Sequence, residues 1–154
     1  MRYTRFPSCQ VRLFLYILLA SLVCQSCGIA PTHEFITSGE QANAILCRPE
    51  GKGPFPAIVY SYGRITDLAA LEKATRRPKR ICETLASDGF LAFIPIRAQL
   101  DFPKSVYSNQ QELSRAVDYL KGLPDVDPNR VALMGHSRGG LLTLMVGLER
   151  KDLE

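Results

Sequence analysis

The sequence predicts an α/β fold, a mostly parallel sheet of about five strands with crossover helices, preceded by a signal or anchor segment. Two observations predict the sheet. Nearly unbroken apolar runs, Pro56–Tyr62 and Phe90–Ile96, suit strands covered on both faces. Stretches with helical apolar spacing lie between such runs, and this alternation implies parallel strands joined by crossovers. A third observation concerns the first 27 residues, which have the layout of a targeting segment.

Taken in order, Arg2, Arg5 and Arg12 precede the eleven-residue apolar run Leu13–Val23, a basic region followed by a hydrophobic one. The run is short of the roughly 20 residues that span a bilayer. Ser26 before Cys27 resembles a lipoprotein processing site, although Cys24 stands where an aliphatic residue is usual. Cleavage after Ser26 or near Ala30, and an uncleaved anchor reaching Ile29, are the alternatives. The resulting division is 1–27 signal peptide or lipoprotein signal, 28–41 linker and first short strand, and 42–154 folded domain. Export to the periplasm or the extracellular space is expected, with membrane anchoring if Cys27 is lipidated. Cys24 and Cys27 have CxxC spacing, but at the end of a hydrophobic run they read as part of the signal rather than as a redox site. With those set aside, Cys47 and Cys82 either form a disulfide, as an exported protein allows, or are buried separately.

His33–Thr37 reads as a short extended run and Ala42–Arg48 as a second strand, ended by Pro49. The residues from Glu50 to Pro54 are turn-formers, and Pro56–Tyr62 is the buried strand after them. Pro78 suits the first position of a helix, in which Ile81, Cys82, Leu85 and Ala86 share one face and Gly89 ends the run. Phe90–Ile96 is the next buried strand. Ser108 and Gln111 form a capping box for a helix with Leu113, Ala116, Val117 and Leu120 at stripe spacing. Asp125–Asn129 is a turn and Val131–Met134 a short strand. Leu141–Leu148 is apolar all round, so as a helix it must be buried.

Charge excludes some functions. Of the net +4, three charges belong to Arg2, Arg5 and Arg12, leaving +1 for residues 28–154. That is no basic field for nucleic acid. The cluster Arg76-Arg77-Pro78-Lys79-Arg80 reads as a solvated helix start. Nothing supports a metal, nucleotide or flavin site, and the glycines at 135, 139 and 140 lack the Lys-Ser/Thr of a phosphate loop. No cofactor is expected.

The chemistry lies in Gly135-His136-Ser137-Arg138-Gly139, a G-x-S-x-G placed between a strand and a helix. A serine at such a bend has strained backbone angles. Glycines two residues to either side remove the clashes of so tight a turn. The bend also puts Ser137 at a helix N-terminus, where unpaired N–H groups can stabilise an oxyanion. The backbone N–H of Arg138 would be one donor. His136 reads as an elbow packing residue, because a side chain adjacent to Ser137 points elsewhere and cannot easily take its proton.

With this turn the sequence resembles the α/β-hydrolase fold, and within it the dienelactone-hydrolase-like branch, from about Ala42 to Leu148. "GPFPAIVYSYG" is similar to that family's third strand, with Tyr62 where a histidine is usual and Gly63 kept. "LASDGFLAFIPIR" resembles the end of the first helix and the fourth strand. "ELSRAVDYLKGLPDVDPNRVALMGHSRGG" resembles the segment leading into the nucleophile. The resemblance implies an N-terminal portion of a serine hydrolase, with Ser137 attacking an ester, lactone or peptide carbonyl. It implies the N–H of Arg64 as second oxyanion donor, with Tyr62 and Gly63 shaping the loop.

In that family the acid and the histidine base follow the nucleophile. Here the two histidines are His33, ahead of the sheet, and His136. Asp67, Asp101, Asp125 and Asp127 read as turn or cap residues. Triad acid and base are therefore expected to be missing, and the chain to be inactive alone. The sheet is expected to be incomplete, with Val131–Met134 at an open edge and the 141–148 helix partly uncovered, so that the chain folds poorly, self-associates or needs a missing half. The alternatives are a catalytically dead fragment and an exported interaction module that keeps the elbow as scaffold. A small-molecule ester or a peptide is the expected substrate if the site is completed.

Overall fold

Five strands pair into one sheet, and three helices cover its two faces. The computed structural model describes residues 31–36, 43–63, 71–97 and 104–153. The expected signal segment 1–27, with Cys27, and most of the linker lie outside the described residues. The strands are β1 (Thr32–Ile36), β2 (Ala44–Arg48), β3 (Phe55–Ser61), β4 (Leu91–Pro95) and β5 (Val126–Gly135), and the helices are α1 (Leu71–Ser87), α2 (Lys104–Lys121) and α3 (Arg138–Glu149).

The strand order is β1-β2-β4-β3-β5. β3 runs parallel to both β4 and β5, as expected of crossover connections. β2 and β1 extend this parallel centre with antiparallel pairings. The sheet is therefore mixed, parallel where the helices cross and antiparallel at its N-terminal end.

Side-chain alternation divides the core. Leu46, Val59, Leu91, Phe93 and Val131 point to one face, where Leu113, Ala116, Val117 and Leu120 of α2 and Leu142 and Val146 of α3 meet them. Ile45, Cys47, Tyr60, Ala92 and Ile94 point to the other, against Cys82 and Ala86 of α1. All five residues of β4 are buried, so the continuous apolar run reflects cover on both sides. A disulfide joins Cys47 on β2 to Cys82 on α1, with a Cα–Cα distance of 5.7 Å. Of the two arrangements open from the sequence, the protein has the paired one.

Helix ends are where local reading and structure part. Pro78 does not start a helix but lies inside α1, and the Arg76–Arg80 cluster is mid-helix. A proline there loses one hydrogen bond and crowds the preceding turn, at a cost of about 3 kcal/mol. Its own burial and the face formed by Cys82 and Ala86 offset that cost. At the other end Gly89 has φ +89, and the N–H groups of Gly89 and Phe90 reach the carbonyls of Ala86 and Leu85 at 3.0 Å, which closes α1 as expected.

α2 begins four residues before Ser108, so the capping box does not exist. The Ser108 hydroxyl donates backwards to the Ser105 carbonyl at 3.3 Å, an alternative open to serine inside a helix. The apolar stripe is as expected, and Leu113, Ala116, Val117 and Leu120 are all fully buried.

β5 starts at Val126 and absorbs the expected turn. Val126 pairs with Phe55 and Val131 with Ala57, so β5 takes five steps against two of β3. The extra residues form an outward bulge, held by the Asn129 N–H donating to the Asp127 carboxylate at 3.0 Å.

α3 corrects a further expectation. Leu142 and Val146 are buried, but Leu141, Leu144 and Leu148 are 48%, 67% and 76% exposed. The reason is position: β5 is the edge strand, and no described residue lies over the outer face of the helix that follows it. Among the described residues, no strand pairs with the outer edge of β5. Among the described residues, no helix is long and apolar enough to cross a membrane.

Candidate active site

The turn from β5 into α3 has to reverse the chain within about two residues, and Ser137 takes the strain. Its backbone sits at φ 55, ψ −124, outside the regions that residues with a Cβ normally occupy. Conformations of this kind cost on the order of 1–3 kcal/mol and gather at functional sites. Ser137 is also the residue before the first turn of α3, yet its hydroxyl makes no capping hydrogen bond. A serine in that place ordinarily caps the helix. Here the side chain is exposed, with no hydrogen bond to the helix it precedes.

The flanking glycines are required by backbone contacts. A Cβ at Gly139 would stand 1.8 Å from the Ser61 carbonyl oxygen and 2.6 Å from that of Tyr62. A Cβ at Gly135 would stand 2.5 Å from both the Gly139 oxygen and Thr143 Oγ1. α3 therefore starts directly against the end of β3, and the His136 N–H donates to the Ser61 carbonyl at 3.1 Å. The clashes foreseen at the elbow are with the neighbouring strand as well as within the turn.

The same closeness brings Gly63 to the serine. A Cβ on Gly63 would lie 3.3 Å from the Ser137 Cβ. The segment leaving β3 thus passes close to Ser137. Arg64, the expected donor, lies outside the described residues. Arg138 is the first residue of α3, so its N–H has no acceptor within the helix.

Beneath this segment is a polar cluster that local reading does not find. Arg97, two residues beyond β4, is 5% exposed. Its Nη2 donates to the Tyr62 carbonyl, its own N–H donates to the Tyr62 phenol oxygen at 2.8 Å, and its guanidinium lies 4.7 Å from the Tyr62 ring centre. Burial lowers the Arg97 pKa from its ordinary value, and Tyr62 and Glu112 oppose the change. Burial also raises the Tyr62 phenol and the Glu112 carboxyl, the latter held back by Arg97. The Arg138 side chain donates to Ser105 Oγ at the start of α2. In the sequence Arg97 is a single arginine after a strand. Only the β4-β3-β5 order places it beside Tyr62.

The two histidines lie in different parts of the fold. His33 sits on β1, four strand spacings from β5, or about 19 Å at the usual inter-strand distance. Its Nδ1 lies 3.3 Å from Glu83. His136 is exposed, which corrects its reading as a packing residue. Its Nδ1 nevertheless lies 3.6 Å from where a Cβ on Gly63 would stand, beside the segment that leaves β3. Asp125 accepts from Arg48 Nε at 2.9 Å, and Asp127 accepts from the Asn129 N–H in the β5 bulge. Asp67 and Asp101 lie outside the described residues. A cavity of about 480 Å³ beside α1 is lined by Arg76, Arg77, Arg80, Ile81 and Thr84 and does not include the serine.

No protein-family model matches the chain. It is 25% identical over 122 residues to a Bacillus subtilis protein described as the uncharacterized peptidase YtmA, covering 75% of this chain and 44% of that one. The structure is similar to a dienelactone hydrolase from Anabaena variabilis, with a TM-score of 0.59 and 20% identity over 79% of this chain and 59% of that one. It is similar also to a dienelactone hydrolase-like promiscuous phosphotriesterase from metagenomic libraries, at TM-score 0.56 and 24% identity, covering 81% and 57%. The fold is that of the α/β hydrolases. The chain spans roughly half the length of these proteins.

Proposed function

We propose that the protein is a serine hydrolase of the α/β-hydrolase type, with Ser137 as nucleophile toward a carboxylic ester, lactone or peptide carbonyl. The observation that carries this is the strained, uncapped and exposed Ser137 between β5 and α3. A backbone cost with no capping bond in return is what a turn built to present a hydroxyl looks like. In the proposed reaction the serine oxygen attacks the carbonyl, the N–H groups of Arg138 and Arg64 take the oxyanion, and water later releases the acyl group. The peptide branch draws support from the likeness to YtmA, and the ester and lactone branches from the dienelactone hydrolase structures.

The same reading expects little activity unless a proton acceptor reaches Ser137, and His33 lies on β1, four strands away from β5. An oxyanion site without its base retains only a small part of full catalysis. A second reading, an interaction module that keeps the elbow as scaffold, is favoured by the exposed Leu141, Leu144 and Leu148 beside the open β5 edge. That surface also suits self-association or the missing part of the fold. Export, with or without lipidation at Cys27, is supported by the buried Cys47–Cys82 disulfide, which belongs to an oxidising compartment.

Fluorophosphonate labelling, located by peptide mass spectrometry, tests the catalytic reading. The expected outcome is slow labelling at Ser137 that rises at least about tenfold when free imidazole supplies a base, and no labelling in Ser137→Ala. Absence of imidazole-stimulated labelling in the folded protein would remove the hydrolase reading and leave the interaction module.

A further inference from the structure

Arg97 spends its hydrogen-bonding capacity on one neighbour. The Tyr62 carbonyl accepts from Nη2, the Tyr62 phenol accepts from the Arg97 N–H, and the guanidinium lies over the ring. Nε and Nη1 have no partner among the described residues. An arginine 5% exposed, with two N–H groups unanswered, is costly to bury. Stability of the core alone would be better served by an apolar side chain. What the arrangement does accomplish is to fix a peptide plane. The Tyr62 carbonyl is held from one side by Arg97, and the start of α3 abuts it at Gly139 on the other. In a trans peptide the carbonyl and the following N–H point in opposite directions. Holding the Tyr62 carbonyl therefore sets the direction of the Gly63 N–H, where Gly63 passes Ser137.

We propose that Arg97 is a positioning residue for the oxyanion segment: it clamps Tyr62 so that the chain leaving β3 at Gly63 is held over Ser137. The consequence for catalysis rests on Ser137 being the nucleophile, while the clamp itself does not. Charge is insufficient for the task, because the guanidinium both donates to the carbonyl and sits over the ring, 4.7 Å from its centre. A lysine ammonium can do the first of these but not both. The clamp acts at a distance, and a displacement of about 1 Å in a catalytic group can cost roughly 10²-fold in rate.

The test uses Arg97→Met, Arg97→Lys and the unaltered chain, with folding checked by circular dichroism. The first readout is the NMR order parameter of the Gly63 amide, which needs no reactivity. It is expected to fall from about 0.85 to about 0.6 or lower in Arg97→Met, while Gly89 at the end of α1 is unchanged. The second is imidazole-assisted fluorophosphonate labelling of Ser137. Its maximal rate is expected to drop about 10²-fold, with the half-saturating probe concentration unchanged. Arg97→Lys is expected to fold and to recover less than half of either effect, and it keeps the test decisive if Arg97→Met does not fold. An unchanged Gly63 order parameter, or full recovery by Arg97→Lys, would overturn the clamp. Loss of order without any labelling in the unaltered chain would uphold the clamp and count against the hydrolase reading instead.

Discussion

Gly139→Ala is expected to prevent stable folding. The new methyl would stand 1.8 Å from the Ser61 carbonyl oxygen and 2.5 Å from its carbon, and both are backbone atoms of β3. A flexible side chain could swing away from such a contact, but a strand paired on both edges cannot. β3 is bonded to β4 on one side and β5 on the other, so relief requires α3 to lift from the sheet. Lifting α3 uncovers Leu142 and Val146, which are fully buried against the core. Overpacking ordinarily costs about 1–3 kcal/mol and more when backbone must move. We therefore expect a loss of at least about 3 kcal/mol, a large part of the stability of a small domain. The control is Gly147→Ala in the same helix, where a Cβ meets nothing within 4 Å. That change is expected to stabilise by about 0.5–1 kcal/mol, since glycine is a poor helix former. Urea unfolding of the two variants checks both signs.

Removing the Cys47–Cys82 disulfide is expected to cost about as much. The bond closes a loop over a sequence separation of 35 residues, tying α1 to β2 across the segment that includes β3. The chain-entropy relation gives about 4 kcal/mol for a loop of that size. The double variant Cys47→Ala/Cys82→Ala is the clean comparison, because both positions are fully buried and a serine hydroxyl would add its own burial penalty. A fall in melting temperature of roughly 10–20 °C is expected for a domain of this length. A change under about 2 °C would show that the bond does not restrain the unfolded chain in this protein.

These two predictions rest on features of different legibility. The strands were readable because burial on both faces leaves a continuous apolar run, as in Leu91–Pro95. The elbow was readable because its geometry demands glycine at 135 and 139, and few turns demand both. The helix starts were not. Pro78 and Ser108 have strong preferences for a first turn, yet both lie inside helices because packing outweighs about 1–3 kcal/mol of local preference. Arg97 was illegible for another reason. Its partner Tyr62 is 35 residues away, and only the order of the parallel strands makes them neighbours. The disulfide was similarly a matter of distance, with both cysteines visible and their pairing left open.

The central claim, that residue 137 is held in a strained bend in order to present its hydroxyl, can be tested by its sign. At an ordinary helix start, replacing a capping serine by glycine costs a few tenths of a kcal/mol. Ser137 makes no capping bond and has φ 55. Ser137→Gly should therefore release the strain, and urea unfolding should show the variant to be about 1–2 kcal/mol more stable than the unaltered chain. A variant equal to it or less stable would mean that the bend is unstrained and that the serine is an ordinary helix cap.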